Sequence, residues 1–246
     1  MKLSKVSFSI AEYAAWAPGL DTQEAWLKWA KEPCAIGTDS EPGVRAMPAM
    51  LRRRAGFLGK MALEAAYQCI GAQKNIPTVF CSRHGEVSRS LEMLSAMAKG
   101  EPISPTSFGM SVHNAIGGLF SIARADKSNN MAIAAGTSSV ENAVIEACGL
   151  LEDGAPQVLL VVYDCPLPPA YISFQGSDDQ AYSWAWLMER PGESVLSLAW
   201  SGKSETSGQK ADTLAAGLEV LGFYLRGDHA LERECGHQRW LWSRNA

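Results

Sequence analysis

Six consecutive apolar residues, Val158-Leu159-Leu160-Val161-Val162-Tyr163, constrain this chain more than any other feature. The run is too short for a core helix and has no polar face. It therefore reads as a strand covered on both sides, which requires helices above and below a sheet. Strand-like and helix-like patterns alternate along the rest of the chain, the pattern of a layered α/β domain.

Near the N-terminus, Val6, Phe8 and Ile10 alternate with Ser7 and Ser9, predicting a first strand and lacking the continuous apolar centre of a secretory signal. A helix is expected over Asp21–Ala30, capped by Asp21 or Thr22 and stopped by Pro33. A single long helix is expected over Pro48–Ala72, with Arg52, Arg53 and Arg54 near its start, where cations oppose the helix dipole. Further on, Thr78–Cys81 predicts a short buried strand and Ser88–Ala98 a helix ended by Gly100. Phe108–Ala123 reads as a helical stretch interrupted by Gly117-Gly118. Met131–Ala135 follows as a strand and Ser138–Leu151 as a helix. Two more strands, Ser183–Glu189 and Ser194–Trp200, are separated by Pro191-Gly192. Lys203–Lys210 reads as a surface linker, Ala211–Arg226 as a last helix and Arg239–Ser243 as a short aromatic tail.

Composition narrows the function. With 246 residues, 47% of them hydrophobic and 20% charged, the chain can bury a substantial core. A formal charge of -4 provides no basic field for nucleic acid. No apolar run approaches the roughly 20 residues of a membrane-spanning helix, so a soluble, cytoplasmic protein is expected. Six cysteines lie scattered, with no C-x-x-C pair and no clustered histidine, so no metal, cofactor or disulfide framework is expected.

The stretch most informative about function runs from Gly100-Glu-Pro-Ile-Ser-Pro105 through Ser111-Val-His-Asn-Ala115 and a small-residue strand to Thr137-Ser138-Ser139 and a helix. In order and spacing it resembles the N-terminal half of β-ketoacyl synthases, members of the thiolase-fold superfamily. The resemblance extends to Met47–Ala65, Ser82–Glu86 and Gly149–Val162 and covers roughly residues 1 to 200. It implies an α/β, thiolase-like layered fold limited to that N-terminal half, a mixed sheet covered by helices with a short C-terminal helix and tail. It also implies a ketosynthase-like domain over 1–202, with 203–246 forming a linker, helix and tail packed upon it.

Aligning Ala134-Ala-Gly-Thr-Ser-Ser139 on the family's Thr-Ala-Cys-x-Ser-Ser pattern puts Gly136 at the nucleophilic cysteine, so the thiolate for acyl transfer is absent. The family's second half, with its two histidines, has no counterpart, and His229 and His237 lie in neither of its histidine motifs. Such a chain resembles the chain length factors that pair with an active ketosynthase in polyketide, aryl polyene and fatty-acid-type elongation. The resemblance then implies a full-length ketosynthase partner, with an acyl carrier protein reached through the complex. Tunnel or interface positions would be His84, Ser107, Phe108, Met110, His113, Asn114 and Phe120, and Arg52–Arg54 would touch the acidic carrier. Without the resemblance, Phe108, Met110 and Phe120 read as core, His113 as a hydrogen-bonded structural residue and the arginines as a solvated face. Ser138 and Ser139 read as helix caps, since a Gly-x-Ser-x-Gly elbow is absent. Gly136 also reads as a tight turn needing an unusual backbone angle. Cys148, in an apolar helix, and Cys165, beside Asp164, are poor replacement nucleophiles. Two alternatives remain: a small acyl thioesterase or acyltransferase using Ser138, Ser139 or a cysteine, and a scaffold that only stabilises a ketosynthase. A half-sized chain of this fold is also expected to leave one core face uncovered.

Overall fold

The computed structural model describes residues 4–176, 179–202 and 214–245. Its centre is an eight-stranded mixed sheet in the order β3-β2-β4-β5-β1-β6-β8-β7. The strands are β1 (Ser4–Trp16), β2 (Thr78–Cys81), β3 (Asn130–Ile133), β4 (Gln157–Asp164), β5 (Tyr182–Glu189), β6 (Val195–Gly202), β7 (Ala230–Cys235) and β8 (Gln238–Asn245). β2 pairs in parallel with both β3 and β4, and the remaining neighbours are antiparallel.

The valine-rich run is β4, the strand between β2 and β5, and its period-two alternation divides the core. Val158, Leu160 and Val162 enter one apolar cluster with helix α7 (Ser139–Glu152), Trp26 and Trp29 of α1 (Gln23–Lys31), and α8 (Ala216–Arg226). Leu159, Val161 and Tyr163 enter the opposite cluster with α3 (Phe57–Ile70) and α6 (Ala115–Arg124). Both faces of the sheet are thus covered by the chain's own helices, and the expected uncovered face is not found among the described residues. Thr22 caps α1 by accepting from the Ala25 N–H at 3.2 Å.

Several boundaries differ from the sequence reading, each for a local reason. The long helix over 48–72 is two helices, α2 (Ala49–Arg52) and α3, because the chain turns at 53–56 and Gly56 becomes the N-cap of α3. Arg52 consequently lies in the last turn of α2, where a cation suits the dipole, and its Nη1 donates to the Gly43 and Val44 carbonyls. Downstream of α4 (Val87–Ala98), the break in 108–123 falls between α5 (Pro105–Gly109) and α6, not at the glycine pair. Gly117 is inside α6 because a Cβ there would stand 2.4 Å from Asn130 Oδ1. β5 and β6 do not pair with each other; both flank β1, and Ser9 of β1 ties their connection by accepting from Gly192 N–H and donating to the Ser194 carbonyl.

The aromatic tail is instead the second strand of a hairpin, β7–β8, which extends the sheet beyond β6. Alternation of Trp240 and Trp242 with exposed neighbours buries both indoles in the cluster of α7 and α8. The linker expected at 203–210 lies outside the described residues, as does the start of the last helix expected at 211–213. His229, just before β7, and His237, in the hairpin turn, are both exposed.

Candidate functional site

Gly136 stands between β3 and α7, at the start of a 3-10 turn, Gly136–Ser138. Its φ of +59° is the left-handed region that favours glycine, and a Cβ built there would meet nothing within 4 Å. The turn is thus both conformationally special and unoccupied on its outer side. Neither neighbouring serine is poised as a nucleophile. Ser139 Oγ accepts from Ala135 N–H and donates to the Gly136 carbonyl, bracing the turn. Ser138 makes no side-chain cap bond, contrary to the expected capping role, and its Oγ accepts from Trp240 Nε1 at 3.2 Å.

The C-terminal hairpin holds this turn from behind. Cys235 Sγ donates to the Thr137 carbonyl, and Arg233 pairs with the fully buried Glu141 of α7 while its Nε reaches Glu219 at 2.8 Å. Trp242 Nε1 adds a longer bond to Glu141 at 3.4 Å. None of this was legible in the sequence, since a lone Glu in an apolar helix and a lone Arg in a short strand carry no pairing signal.

In front of the turn lies a cavity of about 330 Å³ lined by Gly136, Arg83, His84, Asp164, Cys165 and Arg233, among others. A larger one of about 700 Å³ adjoins it, sharing His84, Asp164, Cys165, Asp179 and Gln180. Asp164 ends β4, and its Oδ1 accepts from Ser82 Oγ at 2.8 Å and Arg83 N–H at 2.9 Å. Burial, with a smaller contribution from Asp179, raises its carboxyl to about 7 despite those hydrogen bonds. Burial, then the Arg83 charge, lowers the pKa of His84. Burial raises the Cys148 and Cys165 thiols to about 12, so both are poor nucleophiles, as expected. No group of three or more His, Cys, Asp or Glu among the described residues is arranged to hold a metal.

No residue of the segment 104–121 lines either cavity. Phe108 is 62% exposed and Ser107 half-buried on α5, Asn114 is exposed and His113 half-buried before α6. Met110 is buried, and Phe120 is a core residue packed edge-on against Tyr67 and tilted on Phe80. Exposed Val112, Leu94 and Met97 accompany Phe108, and Ile122 and Met131 are exposed on α6 and the edge strand β3. Arg52 and Arg53 line a surface depression with Arg45 and Lys60, whereas Arg54 is exposed and its carbonyl accepts from Arg89.

Residues 26–243 match the family model described as β-ketoacyl synthase, N-terminal domain. The chain belongs to that family. Among solved structures, this ketosynthase N-terminal domain is similar to a chain of "Ketosynthase (ApeO) in Complex with its Chain Length Factor (ApeC)" from Xenorhabdus doucetiae. The TM-score is 0.84 at 28% identity over 97% of this chain and 100% of that one. It shares its fold with a chain of the ishigamide ketosynthase/chain length factor, at TM-score 0.63 and 15% identity over 82% of this chain and 69% of that one. A ketosynthase of the bacillaene polyketide synthase from Bacillus amyloliquefaciens has TM-score 0.56 and 11% identity over 82% of this chain but only 46% of that one. No curated protein matches. The thiolase-like fold expected from the sequence is therefore shown, and the ketosynthase N-terminal domain resembles a subunit of about its own length. No helix among the described residues is long and apolar enough to cross a membrane.

Proposed function

We propose that this chain is the non-catalytic, chain-length-factor subunit of a ketosynthase pair, working beside a full-length, cysteine-bearing ketosynthase in iterative acyl-chain elongation. The observation that carries the proposal is Gly136, a strand-to-helix turn at the family's nucleophile position with no side chain to carry an acyl group. Supporting it, the similar chain of about equal length comes from a complex of a ketosynthase with its chain length factor. The serine-enzyme alternative finds no support, because Ser138 and Ser139 are both engaged in structural hydrogen bonds and neither bonds a histidine.

In this reading, residues 1–202 supply the ketosynthase-like body and 203–246 close it. The exposed Phe108, with Ser107, Val112 and Asn114, faces the partner and narrows its acyl tunnel, backed by the buried Met110 and Phe120. His84 belongs to the cavity wall before Gly136. The basic depression around Arg52 and Arg53, with Arg54 at its side, receives the acidic carrier protein. Co-expression tests the pairing: the chain copurifies with its cognate ketosynthase, and a chain that never binds it refutes the proposal. Because Phe108 is exposed, Phe108→Trp leaves the isolated fold intact and shortens the products of the complex; a product distribution identical to wild type refutes the tunnel assignment and favours a pure scaffold.

A further inference from the structure

Phe108 and Val112 project from a short helix and an irregular turn, so something must hold them at a fixed height above the body. Few side-chain bonds do so. Ser90 Oγ donates to the Ser111 carbonyl at 3.3 Å, and His113 Nε2 donates to the Ser82 carbonyl at 2.8 Å. Ser82 is fully buried and doubly fixed: its hydroxyl donates to Asp164 Oδ1 and accepts from the Gly85 N–H at 2.8 Å. The loop 82–85 is thus a rigid socket anchored to the end of β4.

Gly85 shapes that socket. Its φ is +59°, and a Cβ there would stand 2.8 Å from His113 Cδ2, so the imidazole lies against a backbone face that only glycine leaves free. The ring is held on two sides, by contact with Gly85 and by a hydrogen bond to a buried carbonyl that would otherwise lose its partner. Nothing in this arrangement points to acid-base chemistry, since His113 Nε2 is committed to a main-chain carbonyl.

We propose that His113 is a positioning residue: seated in the Ser82–Gly85 socket and braced through Ser82 by Asp164, it presents Phe108 and Val112 in the conformation the ketosynthase partner binds. The inference rests on the pairing proposed above. It extends that reading from which residues face the partner to what preorganises them, since a surface ordered in advance avoids the entropy of ordering on binding.

The test combines hydrogen exchange on the isolated chain with affinity for the cognate ketosynthase. His113→Ala is expected to increase amide exchange over 108–114 and to weaken binding about tenfold, the effect of losing one hydrogen bond and its ordering. His113→Gln, which keeps a donor within reach of the Ser82 carbonyl, restores most of both. Gly85→Ala, which displaces the ring, reproduces His113→Ala, and the double variant is no worse than either single one. Asp164→Asn keeps an oxygen to accept from Ser82 and binds as wild type, whereas Asp164→Ala does not. Phe108→Ala serves as the direct-contact control. If Phe108→Ala weakens binding but His113→Ala binds as wild type, or if exchange over 108–114 is unchanged, the positioning role is refuted and the pairing stands. If the wild-type chain binds no ketosynthase, the pairing itself is refuted, and the proposal with it.

Discussion

Arg233→Met is the substitution whose consequence follows most directly from the structure. Glu141 has no exposed surface, the Arg233 side chain is 1% exposed, and the two are paired between α7 and β7. Removing the guanidinium leaves the Glu141 carboxylate in an apolar cluster with only the 3.4 Å bond from Trp242 Nε1. Breaking a buried pair from one side costs about 3–5 kcal/mol. A domain of this size is stable by about 5–15 kcal/mol, so the single substitution removes about a fifth or more of the total. The expected fall in Tm is roughly 6–20 °C, at about 2–4 °C per kcal/mol. The companion variant Arg233→Met/Glu141→Leu removes both charges; Glu219, 24% exposed, retains access to water. It should recover to within about 1 kcal/mol of wild type, because replacing a buried pair by apolar side chains is close to neutral. Urea titration followed by tryptophan fluorescence reads both, since Trp240 and Trp242 lie in the affected cluster. A loss under about 1 kcal/mol for the single variant, or a double variant as unstable as the single, would show that the hairpin is not held to α7 by this pair.

Three further outcomes are expected. Asp164, raised to about 7, binds its proton more tightly folded than unfolded, so its contribution is complete below the unfolded carboxyl pKa and is lost as pH rises through 7. Wild-type unfolding free energy should therefore fall between about pH 4 and 7 by less than about 1.4 kcal/mol per pH unit, as urea titration reads it, and Asp164→Asn should flatten that slope; an unchanged slope would refute the assignment. Gly136→Cys should fold, at about 1–2 kcal/mol for a side chain at φ +59°, and present a thiol that reacts with iodoacetamide. It should catalyse no condensation alone, because no histidine is bonded at the turn, and condensation by the isolated variant would show that the turn lacks nothing but the thiol. Gly117→Ala should lower Tm, because its Cβ would stand 2.4 Å from Asn130 Oδ1, and adding Asn130→Ala should restore part of the loss; additive losses would mean the close contact is not the cause.

The glycine at position 136, the valine-rich strand β4, a helix cap at Asp21 or Thr22 and the layered α/β class were all legible in the sequence. Each depends on a residue and its near neighbours: periodicity reports how many faces of a strand are buried, and a glycine at a motif position reports a missing thiol wherever the chain then goes. The helix break at 53–56 was not legible, because Arg53 and Arg54 are good helix formers and only the start of α3 at Gly56 requires a turn there. Nor was the role of the last forty residues. Trp240 and Trp242 read only as an aromatic tail and not as a strand paired with β6, since pairing over long sequence separation leaves no local signature.

What the sequence by itself determined is local: glycine at position 136 supplies no thiolate at that position, whatever the rest of the chain does. The tertiary structure decided how the sheet is covered. It placed α1, α7 and α8 over one sheet face and α3 and α6 over the other, extended the sheet with the β7–β8 hairpin, buried Phe120 and left Phe108 in solvent. Those two phenylalanines share one apolar segment and one residue type. What separates them is which side of the turn at 110–114 each falls on, where His113 bonds the loop after β2 and Met110 is buried in the core, contacts that the local sequence does not show.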